Sequence, residues 1–131
     1  MYLAESEAIK APQRREARQR LTEEFANLLR LEPQDGARWT GSMTYLVEAA
    51  HIVYEQGRIC DETGHACSFG RLVSRACRSL NVKEPANPRR TAYKARQRKG
   101  IRRESFFTRY CRMVEAQVAQ PLTGEITGIN E

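Results

Sequence analysis

The chain has 131 residues, 40% of them hydrophobic and 29% charged, the balance of one soluble globular domain rather than of a disordered or fibrous chain. No apolar run approaches the roughly 18 residues that cross a bilayer, and the opening MYLAESEAIK lacks the basic-then-apolar order of a signal peptide, so a cytoplasmic protein away from membranes is expected, with Cys60, Cys67, Cys77 and Cys111 as free thiols. The net charge of +6 is unevenly placed: 14 Lys/Arg and only two acids, Glu84 and Glu104, fall between Arg71 and Arg112, leaving 8 basic and 14 acidic residues elsewhere, so a polyanionic partner would meet one part of the chain.

The first segment reads as a helix from about Pro12 to Leu31, because proline is tolerated in a first helical turn but not in an interior. Leu21, Phe25, Leu28 and Leu29 form its apolar stripe, while the earlier run QRREARQR is polar on nearly every face and offers little to a core. Pro33, Asp35 and Gly36 then break the chain. Trp39 is expected as a core anchor and Thr40 as the cap of a second helix that buries Leu46, Val47, Ala50, Val53 and Tyr54 and stops at Gly57.

Arg58 to Cys67 is polar, centred on Gly64, and suits a turn or small hairpin. Ser68 caps a short third helix with Phe69, Leu72, Val73, Ala76 and Leu80 at helical spacing. After a turn over residues 81 to 86, Asn87-Pro88 starts a fourth helix with few apolar residues, ended by Gly100. A final helix from about Arg103 to Gln120 buries Phe106, Phe107, Tyr110, Met113, Val114 and Val118, and residues 121 to 131 read as a flexible tail. The expected organisation is a helical segment and linker over 1 to 37, a domain over 38 to 120 and that tail. The fold class is all-α or mainly α.

Two short helices joined by a tight turn and preceded by a longer apolar one give the order of a helix-turn-helix or winged-helix bundle, in which the second helix enters a major groove about 12 Å wide. Here the second helix is the basic one. Arg89, Arg90, Lys94, Arg96, Gln97, Arg98 and Lys99 supply long donors, and Thr91 and Tyr93 add phosphate or thymine-methyl contacts. Arg71, Arg75 and Arg78 on the bracing helix, with Arg102 and Arg103 beyond the basic one, are placed to hold phosphates. A basic helix is often merely a solvated face, but twelve net positive charges over three successive elements repel one another unless a polyanion offsets them. Double-stranded DNA is the expected partner, since no RNP-type aromatic motif or GXXG loop points to RNA.

The run WTGSMTYLVEAAHIVYEQGRI, followed by SFGRLVSRACRSLNV and NPRRTAYKARQRKGIRRESFFTRYCRMVEAQV, resembles the C-terminal domain of the RteC family, regulators encoded on Bacteroides conjugative transposons. The resemblance lies in Trp39-Thr40-Gly41, in the helix holding Leu46-Val47-Glu48, and in the Arg98-Lys99 pair followed by an Arg-x-x-Phe helix start at Arg103 to Phe106, and it spans residues 38 to 118. It implies a winged-helix DNA-binding domain that activates transcription of excision genes. Regulators of that family carry a much larger N-terminal domain, where this chain has one helical segment, and for a wing only Arg58 to Cys67 reads as strand or turn.

Other classes find less support. Cys60, His65 and Cys67 have ligand chemistry for zinc, but C-x4-H-x-C is not a standard knuckle, and Cys77 and Cys111 read as buried thiols on helix faces. No cofactor is expected. His51 lies in a helix, Ser68 serves as a cap, Glu48 and Glu55 make no evident carboxylate pair, and G-x-S-x-G, Walker and H-E-x-x-H motifs are missing, so an enzyme is not expected. The competing expectation is a helical protein-interaction module whose basic face meets an acidic protein, the N-terminal helix offering a homodimer seam.

Overall fold

The computed structural model describes residues 10 to 98 and 105 to 128, without the side chains of 95 to 98. Its described residues form five helices and one two-stranded sheet: α1 (Ala11–Leu29), a 3-10 turn (Pro33–Asp35), β1 (Arg38–Trp39), α2 (Met43–Gln56), α3 (Phe69–Ser79), α4 (Pro88–Arg98), α5 (Phe106–Glu115), a second 3-10 turn (Pro121–Glu125) and β2 (Ile126–Thr127). The fold is mainly α, as the periodicities predict. α2 is the central helix and packs against all four others, which follows from its composition. Apolar or small residues occupy Leu46, Val47, Ala49, Ala50 and Val53, all buried, and the alanines let neighbouring helices approach.

Local chemistry sets the boundaries. Pro12 lies in the first turn of α1, as expected. Ser42, rather than Thr40, caps α2 by accepting a hydrogen bond from the Tyr45 backbone N–H at 3.1 Å. Thr40 is instead committed elsewhere: its backbone N–H and its hydroxyl both donate to the Glu125 carbonyl, at 2.7 and 3.1 Å. Gly57 ends α2 at φ +66°, Ser68 caps α3 by accepting from Arg71 N–H, and residues 59 to 67 close a small hairpin through a bridge between Cys60 and Ala66.

α3 stops at Asn81, which takes φ +54°. The Val82 N–H then reaches the Cys77 carbonyl at 3.0 Å, a Schellman closure. The Asn81 side-chain amide donates to the carbonyls of Pro33 and Ala37 at 2.9 and 2.8 Å, so one residue ends α3 and ties it to the segment entering β1. The Trp39 backbone N–H adds a bond to the Leu80 carbonyl. Trp39 is buried, as expected of a core anchor, and its indole N–H donates to the Ser42 carbonyl at 3.0 Å, so the ring enters the core with its donor satisfied.

Further expectations are corrected, the first being Tyr54, which α2 leaves exposed rather than buried. α5 ends at Glu115, not near Gln120, because Gln117 turns left-handed at φ +66° and the Val118 N–H closes back on the Met113 carbonyl; Val118 is accordingly exposed, and Phe107 and Met113 are only half-buried. Residues 121 to 128 are not a flexible tail. Pro121, Leu122 and Ile126 are buried, and β2 pairs antiparallel with β1 in the register Arg38 to Thr127 and Trp39 to Ile126. Finally, the segment over 1 to 37 is no separate unit where described: Ala17, Leu21, Phe25, Leu28 and Leu29 belong to the same continuous core as α2, α3 and α5.

A carboxylate fastens that arrangement. Glu24 on α1 accepts from the Tyr110 hydroxyl at 2.6 Å and from the Leu122 N–H at 3.2 Å, joining α1, α5 and the C-terminal segment. Burial holds the Glu24 carboxyl above the usual glutamate range, against the opposing pull of the two hydrogen bonds and Arg20. The Tyr110 phenol is pushed strongly upward by burial and by this carboxylate, and so stays a donor.

Candidate nucleic-acid interface

α3 and α4 are joined by the turn over residues 80 to 87, and α4 lies against α2 and α3. Asn87 starts α4 as expected, its side-chain oxygen accepting from the Arg90 N–H at 3.1 Å. Ala92 is the residue that α4 buries where side chains are described. Arg90, Tyr93 and Lys94 turn away from it and are exposed, with Tyr93 at 55%. That arrangement follows from 3.6-residue periodicity, since positions 90 and 94 fall about half a turn from position 92. Its cap and Ala92 help to fix α4 against α2. Arg89 places its guanidinium 5.7 Å from the centroid of the buried Phe69 ring, a cation–π contact across from the first turn of α3.

The predicted set therefore divides. Arg90, Tyr93 and Lys94 form an exposed face, Arg89 sits at its edge against Phe69, and Thr91 is turned to its own backbone, donating to the Asn87 carbonyl at 3.3 Å. The α3 arginines occupy a different stripe, with spacings of four and three. Arg71 donates to both oxygens of Glu62 in the hairpin, at 3.0 and 2.9 Å. Arg75 is half-buried and directs an N–H to the Cys67 sulfur at 3.5 Å, and with Arg78 it lines a hollow of about 200 Å³ that also holds Leu29, Leu31, Glu32 and Pro33. Gln97 and Arg98 continue α4, though their side chains lie outside the described structure. The same holds for Arg96, and Lys99, Arg102 and Arg103 lie outside the described residues altogether.

The hairpin that restrains Arg71 is itself held by one carboxylate. Asp61 accepts from the Thr63 N–H, the Thr63 hydroxyl and the His65 N–H at 2.9, 2.6 and 3.1 Å, and these bonds, the Thr63 hydroxyl first, lower its pKa. Cys67 is buried while Cys60 is exposed. Among the described residues no group of three or more His, Cys, Asp or Glu is placed to hold a metal ion. Burial pushes the Cys77 and Cys111 thiols up to about 11, so both are protonated and unreactive at neutral pH.

Sequence reasoning missed the part played by Arg109. Its guanidinium pairs with Glu125 at 3.2 Å and lies 5.5 Å from the Tyr45 ring centroid. A Cβ on Gly41 would overlap the Glu125 carboxylate, so the Trp-Thr-Gly run serves the docking of the C-terminal segment. No local pattern in the sequence links residues 40 and 125.

His51 sits edge-on to Phe69 at 5.3 Å and lies 3.8 Å from the Glu55 carboxylate. With Arg18, Glu48, Ile52, Ala92 and Phe107, His51 and Glu55 line a hollow of about 250 Å³ beneath α4. Among the described residues no helix is long and apolar enough to cross a membrane. Comparison with protein-family models, curated proteins and solved structures finds no match for this chain.

Proposed function

We propose that this chain binds double-stranded DNA through α4, as a transcriptional regulator or recombination accessory factor of a bacterial mobile element. The observation that carries the reading is the exposed Arg90, Tyr93 and Lys94 face of α4, a helix seated mainly on α2 with α3 beside it. A helix that presents long cations on one exposed face is suited to a groove lined with phosphates. The winged-helix assignment and the mobile-element setting rest on the resemblance of residues 38 to 118 to the RteC family. The assignment to the cytoplasm and a homodimeric state are parts of the same proposal, whereas a dimer seam on α1 belongs to the competing reading.

A duplex titration across salt concentrations tests it. Neutralising six to ten phosphates predicts an affinity loss of about 10³- to 10⁵-fold between 50 and 200 mM salt. Arg90→Ala combined with Lys94→Ala is expected to weaken binding at least tenfold and to flatten the slope of log K against log salt by about 0.9 for each phosphate left without its cation. Absence of duplex binding at low salt sinks the proposal.

The competing reading, a module whose basic face meets an acidic protein, draws on the same exposed Arg90 and Lys94. Competition separates the two. Unlabelled duplex displaces a DNA binder's probe and leaves an acidic protein partner in place.

A further inference from the structure

The polar start of α1 gives the core only Ala17 before Leu21, yet its arginines are not scattered. Arg15, Arg18, Gln19 and Thr22 recur at intervals of three, one and three, and so share one stripe of the helix. Beside that stripe α2 ends at Gln56, and the left-handed turn at Gly57 redirects the chain so that Arg58 returns to it. The six residues Arg15, Arg18, Gln19, Thr22, Gln56 and Arg58 enclose a hollow of about 150 Å³. Its lining residues are three arginines, two glutamines and a threonine, with no acid among them, and the Thr22 hydroxyl donates to the Arg18 carbonyl.

We infer that this hollow is a binding site for a phosphate group. Three arginines border this hollow and no acid lines it, and such a local excess of positive charge is offset by an anion. Arg20, Arg71 and Arg109 each pair with a carboxylate, whereas no ion pair joins these three arginines to another described residue. The Arg18 guanidinium carbon lies 5.6 Å from the Phe107 ring centroid, on the side of the hollow beneath α4, so Arg18 borders both hollows. The planar fork of arginine matches the oxygens of a phosphate, and the two amides supply further donors. The carboxyl end of α2 lies alongside and carries about half a negative charge, which three full positive charges outweigh.

Arg18 also lines the hollow beneath α4, so the phosphate site adjoins the element proposed to meet DNA. The site itself does not rest on that proposal. Its phosphate comes either from a nucleic-acid backbone passing α4 or from a free phosphate-bearing small molecule, and two measurements distinguish these sources.

The first is thermal unfolding of the wild type and of the Arg15→Ala/Arg58→Ala double variant in sodium phosphate and in sodium chloride at equal ionic strength. Both replaced side chains are exposed, and far-UV circular dichroism checks that the helices are kept; Arg58→Gln serves as a milder second variant. Ligand binding to the native state raises the unfolding midpoint, by about 3 to 8 °C at phosphate well above its dissociation constant, and this rise is expected in the wild type and lost in the variants. A rise of equal size in wild type and variants is the general stabilising action of phosphate salts and overturns the site, as does no rise at all.

The second is the salt slope of duplex binding. A slope flatter by about 0.9 in the double variant assigns the phosphate to the DNA backbone, and an unchanged slope with the thermal effect intact assigns it to a free phosphate compound. If the chain binds no duplex, the thermal comparison still decides the site.

Discussion

Glu24 shows how much one side chain holds together. Its carboxyl takes hydrogen bonds from α5 and from the C-terminal segment while burial keeps its pKa above the ordinary value. A group whose folded pKa is raised favours the native state fully below its unfolded pKa, and that contribution is lost as pH rises through the folded value. Urea unfolding of wild type and Glu24→Gln at successive pH values is therefore expected to diverge just above pH 4.5, with the wild type losing stability relative to the variant as pH climbs. Asp61 acts in the opposite sense, contributing above its unfolded pKa and losing that contribution as pH falls through the lowered value. Tyr110→Phe removes the 2.6 Å donor and is expected to destabilise by about 1.5–3 kcal/mol in the same assay.

The helices were legible because their apolar periods and caps are local. α2 and α3 fall where Leu46 to Val53 and Phe69 to Leu80 place them, and the stop at Gly57 and the start at Asn87-Pro88 need only the conformational preferences of those residues. The end of α5 was not legible, because nothing in glutamine advertises a left-handed turn at Gln117. The site was legible in part. The sequence places Arg90 and Lys94 on one helix, but it gives no sign that Arg71 faces Glu62 or that Arg58 returns to the stripe of α1, since both depend on how a loop closes.

At this scale Asn81 offers a test. It supplies both the left-handed residue ending α3 and two bonds to the segment before β1. Asn81→Ala loses the bonds and keeps the backbone strain, an expected cost of about 2–4 kcal/mol. Asn81→Gly loses the bonds but relieves the strain, and its urea midpoint is expected to lie between those of wild type and alanine variant.

For the whole molecule, charge and packing are arranged differently along the chain. The basic excess is concentrated between Arg71 and Arg112, whereas the core is continuous from Ala17 to Ile126. The division into segment, domain and tail read from the sequence followed composition, and composition reports charge better than it reports packing. Leu122 makes the difference measurable. It lies in the stretch read as tail yet is 1% exposed, so Leu122→Ala is expected to destabilise the protein by about 2–5 kcal/mol, where a residue in a loose tail would register almost nothing by urea unfolding.

The pairing of β1 with β2 also bears on the order in which the chain is made. Trp39 leaves the ribosome long before Ile126, its neighbour across the sheet, and Glu24 waits through 98 positions for the Leu122 N–H. Synthesis at about 5–20 residues per second makes that interval several seconds. During it α1 and α2 have emerged without the cover that residues 121 to 127 supply.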